Sequence, residues 1–130
     1  MKTIITFGTF DMFHVGHLNI LKRARALGDK LIVGVSSDAL NFKKKNRHPV
    51  CNEKDRISII SGIRYVDTVF IEESLELKTD YIKKYNADIL VMGDDWHGKF
   101  DNLSPLVEVI YLERTPSVST TSIIEVIKQH

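Results

Sequence analysis

Two histidines stand close together near the start of the chain, in the segment Gly8-Thr9-Phe10-Asp11-Met12-Phe13-His14-Val15-Gly16-His17. Because they are three positions apart, His14 and His17 are predicted to share one face of a first helical turn. Such a turn also offers unpaired backbone N–H groups and the positive end of the helix dipole, which suit a phosphate. Imidazoles and amides aimed at one point fit a phosphoryl- or nucleotidyl-transfer site, since that chemistry depends mainly on positioning and charge stabilisation.

The histidine pair has two further interpretations. One histidine could cap a helix while its neighbour lies buried and satisfied in the core, with no function. A zinc site would need further ligands, and the candidates match no familiar zinc spacing; they are Cys51, Asp94 and His97. In the transfer interpretation each imidazole donates to oxygens of a phosphate chain, and Gly16 lets the backbone come close. We therefore assign no metal to a protein side chain.

Length and composition predict one domain over residues 1–130, with a single hydrophobic core. The formal net charge of +1 favours neither nucleic acid nor a membrane surface as a partner. No apolar run approaches the roughly 18 residues of a membrane span, and no signal-peptide pattern is present. The single cysteine excludes an internal disulfide and is compatible with a reducing compartment. A cytoplasmic protein is the expectation.

Short apolar runs alternate with amphipathic segments along the sequence. Strands are predicted over 2–7, 31–35, 66–71, 88–92 and 107–112. Helices are predicted over 17–27, 53–63 and 77–85, and from a capping box at Ser122 and Glu125 to Lys128. Gly28 is expected to stop the first helix. The polar stretch 36–52 has no clear periodicity, and no element is predicted there.

This alternation predicts right-handed βαβ units and an α/β fold, with a five-stranded, mostly parallel sheet. Ligands of such sheets bind beyond the carboxyl ends of the strands, where the strand order reverses. Three polar segments, 8–17, 93–96 and 114–121, each follow a predicted strand. They are therefore expected to meet at one edge of the sheet.

Four segments carry a resemblance to a known family. They are Gly8 to His17, Arg64-Tyr65-Val66-Asp67, Met92-Gly93-Asp94-Asp95-Trp96 and Arg114-Thr115-Pro116-Ser117-Val118-Ser119-Thr120-Thr121. Their residues and order resemble the motifs of the cytidylyltransferase branch of the HxGH nucleotidyltransferases. The resemblance implies a Rossmann-like nucleotidyltransferase fold, with helices on both faces of the sheet. It also implies that a phosphate oxygen of an alcohol monophosphate attacks the α-phosphorus of CTP and releases pyrophosphate.

The same resemblance implies roles for individual residues. Catalytic roles fall on His14, His17 and Lys44, with the histidines stabilising the transition state. Nucleotide-binding roles fall on Gly8, Thr9, Phe10, His14, Gly16, His17, Asp94, Arg114, Thr115, Ser119 and Thr120, and a second loop lysine on Lys45 or Asn46. Substrate-binding roles fall on Lys44, Lys78, Arg64 and Trp96, with the two lysines at the acceptor phosphate. Asp11 is expected to brace its loop rather than take a proton.

Several of these charged residues have simpler interpretations. Lys43 to Arg47 has the composition of a solvated loop, and Lys78 that of a surface helix lysine. Arg64 is expected to brace the site or a subunit contact, with a surface salt bridge as the competing interpretation.

Two departures from the family pattern bear on the acceptor. Pro116-Ser117-Val118 stands where other members carry Glu-Gly-Ile, and His97 replaces an acidic residue. Glycerol 3-phosphate, giving CDP-glycerol for teichoic-acid or capsule synthesis, is the expected acceptor; a different polyol phosphate or an amino-alcohol phosphate is the competing choice. Three further functions compete with this one: an adenylyltransferase of the FAD or sugar-phosphate type, a nucleotide sensor without turnover, and a zinc hydrolase. Mg²⁺ held mainly by the CTP phosphates, and a homodimer, are also implied by the resemblance.

Overall fold

The computed structural model describes residues 1–116 and 118–130, and within them five strands form one parallel sheet. The strands are β1 (Thr3–Gly8), β2 (Lys30–Ser36), β3 (Thr68–Glu72), β4 (Ile89–Gly93) and β5 (Glu108–Leu112). Their order across the sheet is β3-β2-β1-β4-β5, and each neighbouring pair is parallel. The α/β fold with a five-stranded parallel sheet that the sequence predicts is confirmed in this part of the chain.

Helices connect these strands and pack against the sheet. They are α1 (Val15–Arg25), α2 (Asp38–Lys45), α3 (Glu53–Ser61), α4 (Lys78–Lys84) and α5 (Thr120–Lys128). Short 3-10 turns cover Leu75–Leu77, Asp94–Trp96 and Asp101–Leu103. Within the described residues, no helix has both the length and the apolar character needed to cross a membrane.

The central strands are buried on both faces, which explains their continuous apolar sequence. Successive residues of β1 point to opposite faces, and Ile4 and Ile5 are both fully buried. Ile4 packs in a core with Leu21 of α1 and Ile60 of α3, whereas Ile5 packs in a second core with Ile82 of α4. Helices therefore cover both faces, as predicted.

Most helix boundaries differ from the prediction, by one or two residues in α3 and α4 and with a physical reason in α1 and α5. The first helix begins at Val15, with His14 as its N-cap, and it ends at Arg25. Gly28 does not end it; a Cβ there would lie 2.7 Å from the carbonyl oxygen of Lys2, so this glycine is required by close packing. The last helix begins at Thr120, because the capping box is formed by Ser119 and Ser122 rather than by Ser122 and Glu125.

The stretch 36–52 contains a helix that the sequence pattern does not reveal. Helix α2 begins where the Ser37 hydroxyl accepts a hydrogen bond from the Leu40 amide, and it ends at Asn46 in the left-handed conformation. Only Leu40 and Asn41 of this helix are buried. The helix is therefore fixed by its two caps more than by an apolar face, and hydrophobic periodicity could not show it.

Candidate active site

A cavity of about 400 Å³ opens at the carboxyl ends of β1 and β4. β2 pairs with one edge of β1, and β4, which comes later in the chain, pairs with the other edge. The strand order therefore reverses between β1 and β4. Residues from the ends of both strands, from α2 and from the starts of α4 and α5 line this cavity. The expected binding edge of the sheet therefore holds a pocket.

The histidine pair forms the N-terminal cap of α1. The His14 ring stacks on the His17 ring with centroids 3.8 Å apart and planes 24° apart. His17 lines the cavity, and the edge of its ring packs against the buried Phe10 at 5.5 Å between centroids. A Cβ on Gly16 would lie 2.8 Å from Cε1 of His14, so the glycine is what lets this ring fold over the helix terminus.

Backbone hydrogen bonds assign the tautomer of both imidazoles. The Gly16 amide donates to Nδ1 of His14 at 3.1 Å, and the His14 amide donates to Nδ1 of His17 at 3.3 Å. A neutral imidazole that accepts at Nδ1 carries its proton at Nε2. Each ring therefore keeps an Nε2–H group as a hydrogen-bond donor.

The surroundings keep both rings neutral at physiological pH. Burial and the neighbouring His14 lower the pKa of His17 to about 4, with the Asp11 carboxylate acting in the opposite direction. Burial and the nearby Arg114 guanidinium lower the pKa of His14. Two uncharged donors side by side avoid the repulsion that two stacked imidazolium ions would suffer.

The loop between β1 and α1 has two residues with positive φ angles, and hydrogen bonds to a distant segment of the chain stabilise it. Phe10 and Met12 have φ angles of 54° and 48°, in the left-handed region that costs energy for side chains of this size. As expected from the sequence, Asp11 braces this loop: its carboxylate accepts hydrogen bonds from the amides of Val50 and Cys51 at 2.7 and 2.8 Å. Both carboxylate oxygens are thus engaged in holding the loop.

The start of α5 reaches the same loop. The Thr120 hydroxyl donates to the Asp11 carbonyl oxygen at 2.9 Å, and the Ser119 hydroxyl accepts from the Ser122 amide at 3.0 Å. Both hydroxyls predicted to contact a nucleotide thus help to position the helix, and the Ser119 hydroxyl, which accepts here, keeps its own O–H as a donor. Thr120 and Thr121 line the cavity, where the first amides of α5 and its dipole favour an anion.

Cationic side chains also line the cavity. Lys44 and Lys45 from the end of α2 and Lys78 from the start of α4 all line it. Burial, Lys78 and Lys45 lower the pKa of Lys44, while Glu72 raises it. Such a cluster of positive charge suits a phosphate that approaches the nucleotide.

The predicted site residues differ in where they lie relative to the cavity. The cavity is lined by Gly8, Thr9, Phe10, His17, Lys44, Lys45, Lys78, Trp96 and Thr120. Next to the cavity lie His14 and Gly16 in the cap of α1, Ser119 in the cap of α5, and Asn46 at the end of α2. Asp94 is exposed, and its neighbour Asp95 lines the cavity instead.

Three predicted residues do not line the cavity. Arg114 and Thr115 line a second depression along α1, where Asn19 Nδ2 donates to the Thr115 hydroxyl at 3.0 Å, although the Arg114 charge is near enough to lower the pKa of His14. Arg64 is exposed in the connection that precedes β3, at the amino edge of the sheet, and its guanidinium lies 5.6 Å from the Tyr65 ring centroid. Their binding roles stay predictions, and Ser117 lies outside the described residues.

Buried polar residues that no sequence motif marks support the site from behind. Arg56 is fully buried and donates to the carbonyl oxygens of Thr9 and Ser36 at 2.9 and 2.7 Å, and to Asp38 at 2.7 Å. Asn41 accepts from the Thr9 hydroxyl at 2.7 Å. The spacing of Arg56 and the apolar Ile60, four residues apart, is the one sequence signal that Arg56 faces the core.

The zinc interpretation finds no set of ligands in the described residues. No group of three or more histidine, cysteine, aspartate or glutamate side chains there could hold a metal ion. The Cys51 backbone is used instead, since its amide donates to Asp11 and its carbonyl oxygen accepts from Arg56. The segment around Cys51 thus connects the first loop to α3.

Comparisons with known proteins agree over nearly the whole chain. Residues 5–126 match the model of a family described as cytidylyltransferase-like. The sequence is 47% identical to the glycerol-3-phosphate cytidylyltransferase of Bacillus subtilis, over 96% of each chain. A protein of the same name from Staphylococcus aureus is 45% identical, over 95% of this chain and 92% of the relative.

The fold also resembles a solved structure. The lipopolysaccharide core biosynthesis protein of Thermoplasma volcanium superposes with a TM-score of 0.71 at 24% identity, over 88% of this chain and 97% of that one. At this identity the likeness shows the fold alone.

Proposed function

The chain belongs to the cytidylyltransferase-like family, and from this premise we propose that it transfers CMP from CTP to glycerol 3-phosphate, giving CDP-glycerol and pyrophosphate. One observation carries the proposal: two stacked, neutral imidazoles are fixed as Nε2–H donors at a helix N-terminus beside a cavity with three lysines. The two relatives named glycerol-3-phosphate cytidylyltransferase support the choice of acceptor.

The chemistry requires charge stabilisation more than proton transfer. A phosphate oxygen of the acceptor forms a bond to the α-phosphorus of CTP, and the bond from that phosphorus to the bridging oxygen of pyrophosphate breaks. The attacking oxygen belongs to a phosphate monoester, whose second pKa is about 6, so it carries no proton to remove near neutral pH. This agrees with the structural use of Asp11, whose carboxylate is occupied by two backbone amides.

His14 and His17 would act on the crowded α-phosphate. Negative charge builds up on the α-phosphate oxygens and on the leaving pyrophosphate as the transition state forms. Two donors held in place before the substrate arrives stabilise this charge without the cost of reorganisation. Because both rings are neutral before a substrate binds, they also avoid binding unrelated anions as strongly as two imidazolium ions would.

The lysines would bring the two anionic substrates together. CTP and the acceptor are both phosphates and repel each other, so cations are needed where the acceptor phosphate docks. Lys44 and Lys78 line the cavity, and we assign them to that phosphate. The nucleotide-binding roles of Asp94, Arg114, Thr115, Ser119 and Thr120 belong to the same proposal.

The proposal includes Mg²⁺, which would bind together with the nucleotide. Two of the three carboxylates that line the cavity are already engaged, since Asp11 holds two amides and Glu72 holds Lys78; the third is Asp95. Because few carboxylate oxygens are left to bind a metal, Mg²⁺ would be held mainly by the phosphate oxygens of CTP. There it would neutralise the charge of the leaving pyrophosphate. A homodimer and a cytoplasmic location stay predictions.

Pyrophosphate release from purified protein tests the proposal. With Mg²⁺ present, CTP and glycerol 3-phosphate should support release, whereas ATP should not. Phosphocholine, phosphoethanolamine and further polyol phosphates form the acceptor series, and a preference for one of these would change the acceptor but keep the reaction. Tight binding of CTP without release on any acceptor would identify a sensor and refute the enzyme.

A further inference from the structure

A buried ion pair lies in the wall of the cavity. Glu72, at the end of β3, is 1% exposed, and Lys78, at the start of α4, is 4% exposed. The Lys78 ammonium donates to Oε2 of Glu72, and the Ser36 hydroxyl donates to Oε1 of the same carboxylate at 3.2 Å. Glu72 is thus held from β2 and in turn holds Lys78.

The surroundings of Lys78 do not favour a positive charge by themselves. Its ammonium lies 4.4 Å from the ring centroid of Phe7 and 5.3 Å from that of Phe100. Burial lowers the pKa of Lys78, and the Glu72 carboxylate acts in the opposite direction. Since aromatic faces attract a cation only modestly, Glu72 is the main charge partner. An ammonium has three N–H groups, so Lys78 keeps donors for a ligand after it has bonded to Glu72.

We propose that Glu72 is a positioning residue for the acceptor phosphate, an inference that rests on the proposed function. It keeps Lys78 protonated and fixes the ammonium on the cavity wall, where Lys78 and Lys44 together receive the phosphate dianion. Without the carboxylate, burial favours the neutral amine of Lys78, which binds a dianion weakly. Glu72 contacts Lys78 rather than the reacting atoms, so it acts on acceptor binding and not on the transfer step.

Steady-state kinetics of Glu72→Gln test this role, because glutamine keeps the size of the side chain and one oxygen acceptor but removes the charge. The KM for glycerol 3-phosphate should rise about tenfold or more, the usual loss for a hydrogen bond to a charged group. The KM for CTP should stay unchanged, and kcat should stay within about twofold. Glu73→Gln alters the exposed next residue and should match the wild type in all three constants. A wild-type acceptor KM in Glu72→Gln would overturn the proposal.

A double-mutant cycle separates positioning from a general structural loss. If Glu72 acts through Lys78, adding Glu72→Gln to Lys78→Met should leave the acceptor KM of the single Lys78 variant unchanged. Independent, multiplied effects of the two substitutions would refute the inference.

Ser36→Ala gives a second route in case Glu72→Gln does not fold. It removes the donor to Oε1 and should raise the acceptor KM about threefold, but only while Lys78 is present. No change in the wild-type background would overturn the proposal. Wild-type protein that releases no pyrophosphate from CTP and glycerol 3-phosphate overturns the proposed function and this inference together, whereas an active wild type with an unaffected Glu72→Gln variant overturns the inference alone.

Discussion

The Thr120 hydroxyl donates a hydrogen bond to the carbonyl oxygen of Asp11 at 2.9 Å, although 109 residues separate the two along the chain. Through this contact the first residue of α5 is tied to the loop that leads into α1. The N-termini of both helices, each a place where an anion is stabilised, are therefore kept in a fixed relation on either side of the first loop.

Thr120→Val tests whether this link matters for the nucleotide. Valine keeps the shape of threonine but leaves the Asp11 carbonyl oxygen without its donor, a loss of about 1 kcal/mol. The KM for CTP should rise about fivefold, while the KM for the acceptor stays the same. Thr68→Val, at the far end of the edge strand β3, is the matched control and should leave both constants unchanged. A selective effect of Thr120→Val on the acceptor would show that α5 serves the second substrate.

His17→Ala should lower kcat by roughly a hundredfold or more, because it removes one donor that is held in place before the reaction. Pyrophosphate release at saturating CTP and acceptor measures this loss. His130→Ala, at the exposed C-terminus, serves as the control for removal of a histidine. Near-normal turnover in His17→Ala would refute the assigned role.

Gly16→Ala should disturb catalysis through the neighbouring ring. The added Cβ would stand 2.8 Å from Cε1 of His14, so this imidazole must move off the helix terminus. We expect kcat to fall at least about tenfold with little change in the thermal midpoint of unfolding. Gly62→Ala places its Cβ no closer than 3.5 Å to surrounding atoms and should preserve activity. Equal activities of the two alanine variants would contradict the proposed position of His14.

The low pKa of His17 predicts a pH dependence of stability. Burial and His14 hold this pKa at about 4 in the folded protein, against 6.5 for an ordinary histidine. Between those two values the unfolded chain binds more protons than the folded chain, so the free energy of unfolding falls as the pH is lowered. By pH 5 the loss from this residue should be on the order of 1–2 kcal/mol.

Urea unfolding at pH 7 and pH 5 measures this effect. His17→Gln keeps a hydrogen-bond acceptor but does not titrate, so its free energy of unfolding should drop less than that of the wild type between the two pH values. Identical drops in the two proteins would show that the His17 imidazole takes up its proton at a normal pH.

Lys44→Ala should act on the acceptor. Loss of one cation from the cavity wall is expected to raise the KM for glycerol 3-phosphate about tenfold, with the KM for CTP unchanged. Lys43→Ala removes an exposed lysine of the same helix that does not line the cavity, and it controls for overall charge. An effect confined to CTP would move Lys44 to the nucleotide side.

The sheet could be predicted from the sequence because its strands are short apolar runs between polar segments. The helix ends could not be predicted as well. Ser119 and Ser122 are both suitable N-caps, and local capping energies of about 1 kcal/mol do not distinguish them. The long-range bond from Thr120 to Asp11 accompanies the choice of Ser119, and sequence spacing carries no information about that contact.

The residues that face the cavity were easier to predict than those that support it. His17 belongs to a recognisable motif, Lys44 is assigned by the resemblance to the family, and both line the cavity. Arg56 and Glu72 are polar residues in helical and strand segments, where a charged side chain is ordinarily exposed. Their burial depends on partners that are distant in sequence, such as Thr9 for Arg56 and Ser36 for Glu72, so only the folded structure reveals it.

The strand order has a consequence for synthesis of the protein on the ribosome. β1 pairs with β2 on one side but must wait for β4, some 85 residues later, to pair on the opposite side. Until β4 has been made, one edge of β1 keeps its backbone N–H and C=O groups unpaired, next to apolar side chains. The first loop emerges early, yet its contact with Thr120 can form only after a segment 109 residues further along the chain has been made. The nascent chain therefore cannot complete this cavity until the segment around Thr120 has been translated and has met the first loop.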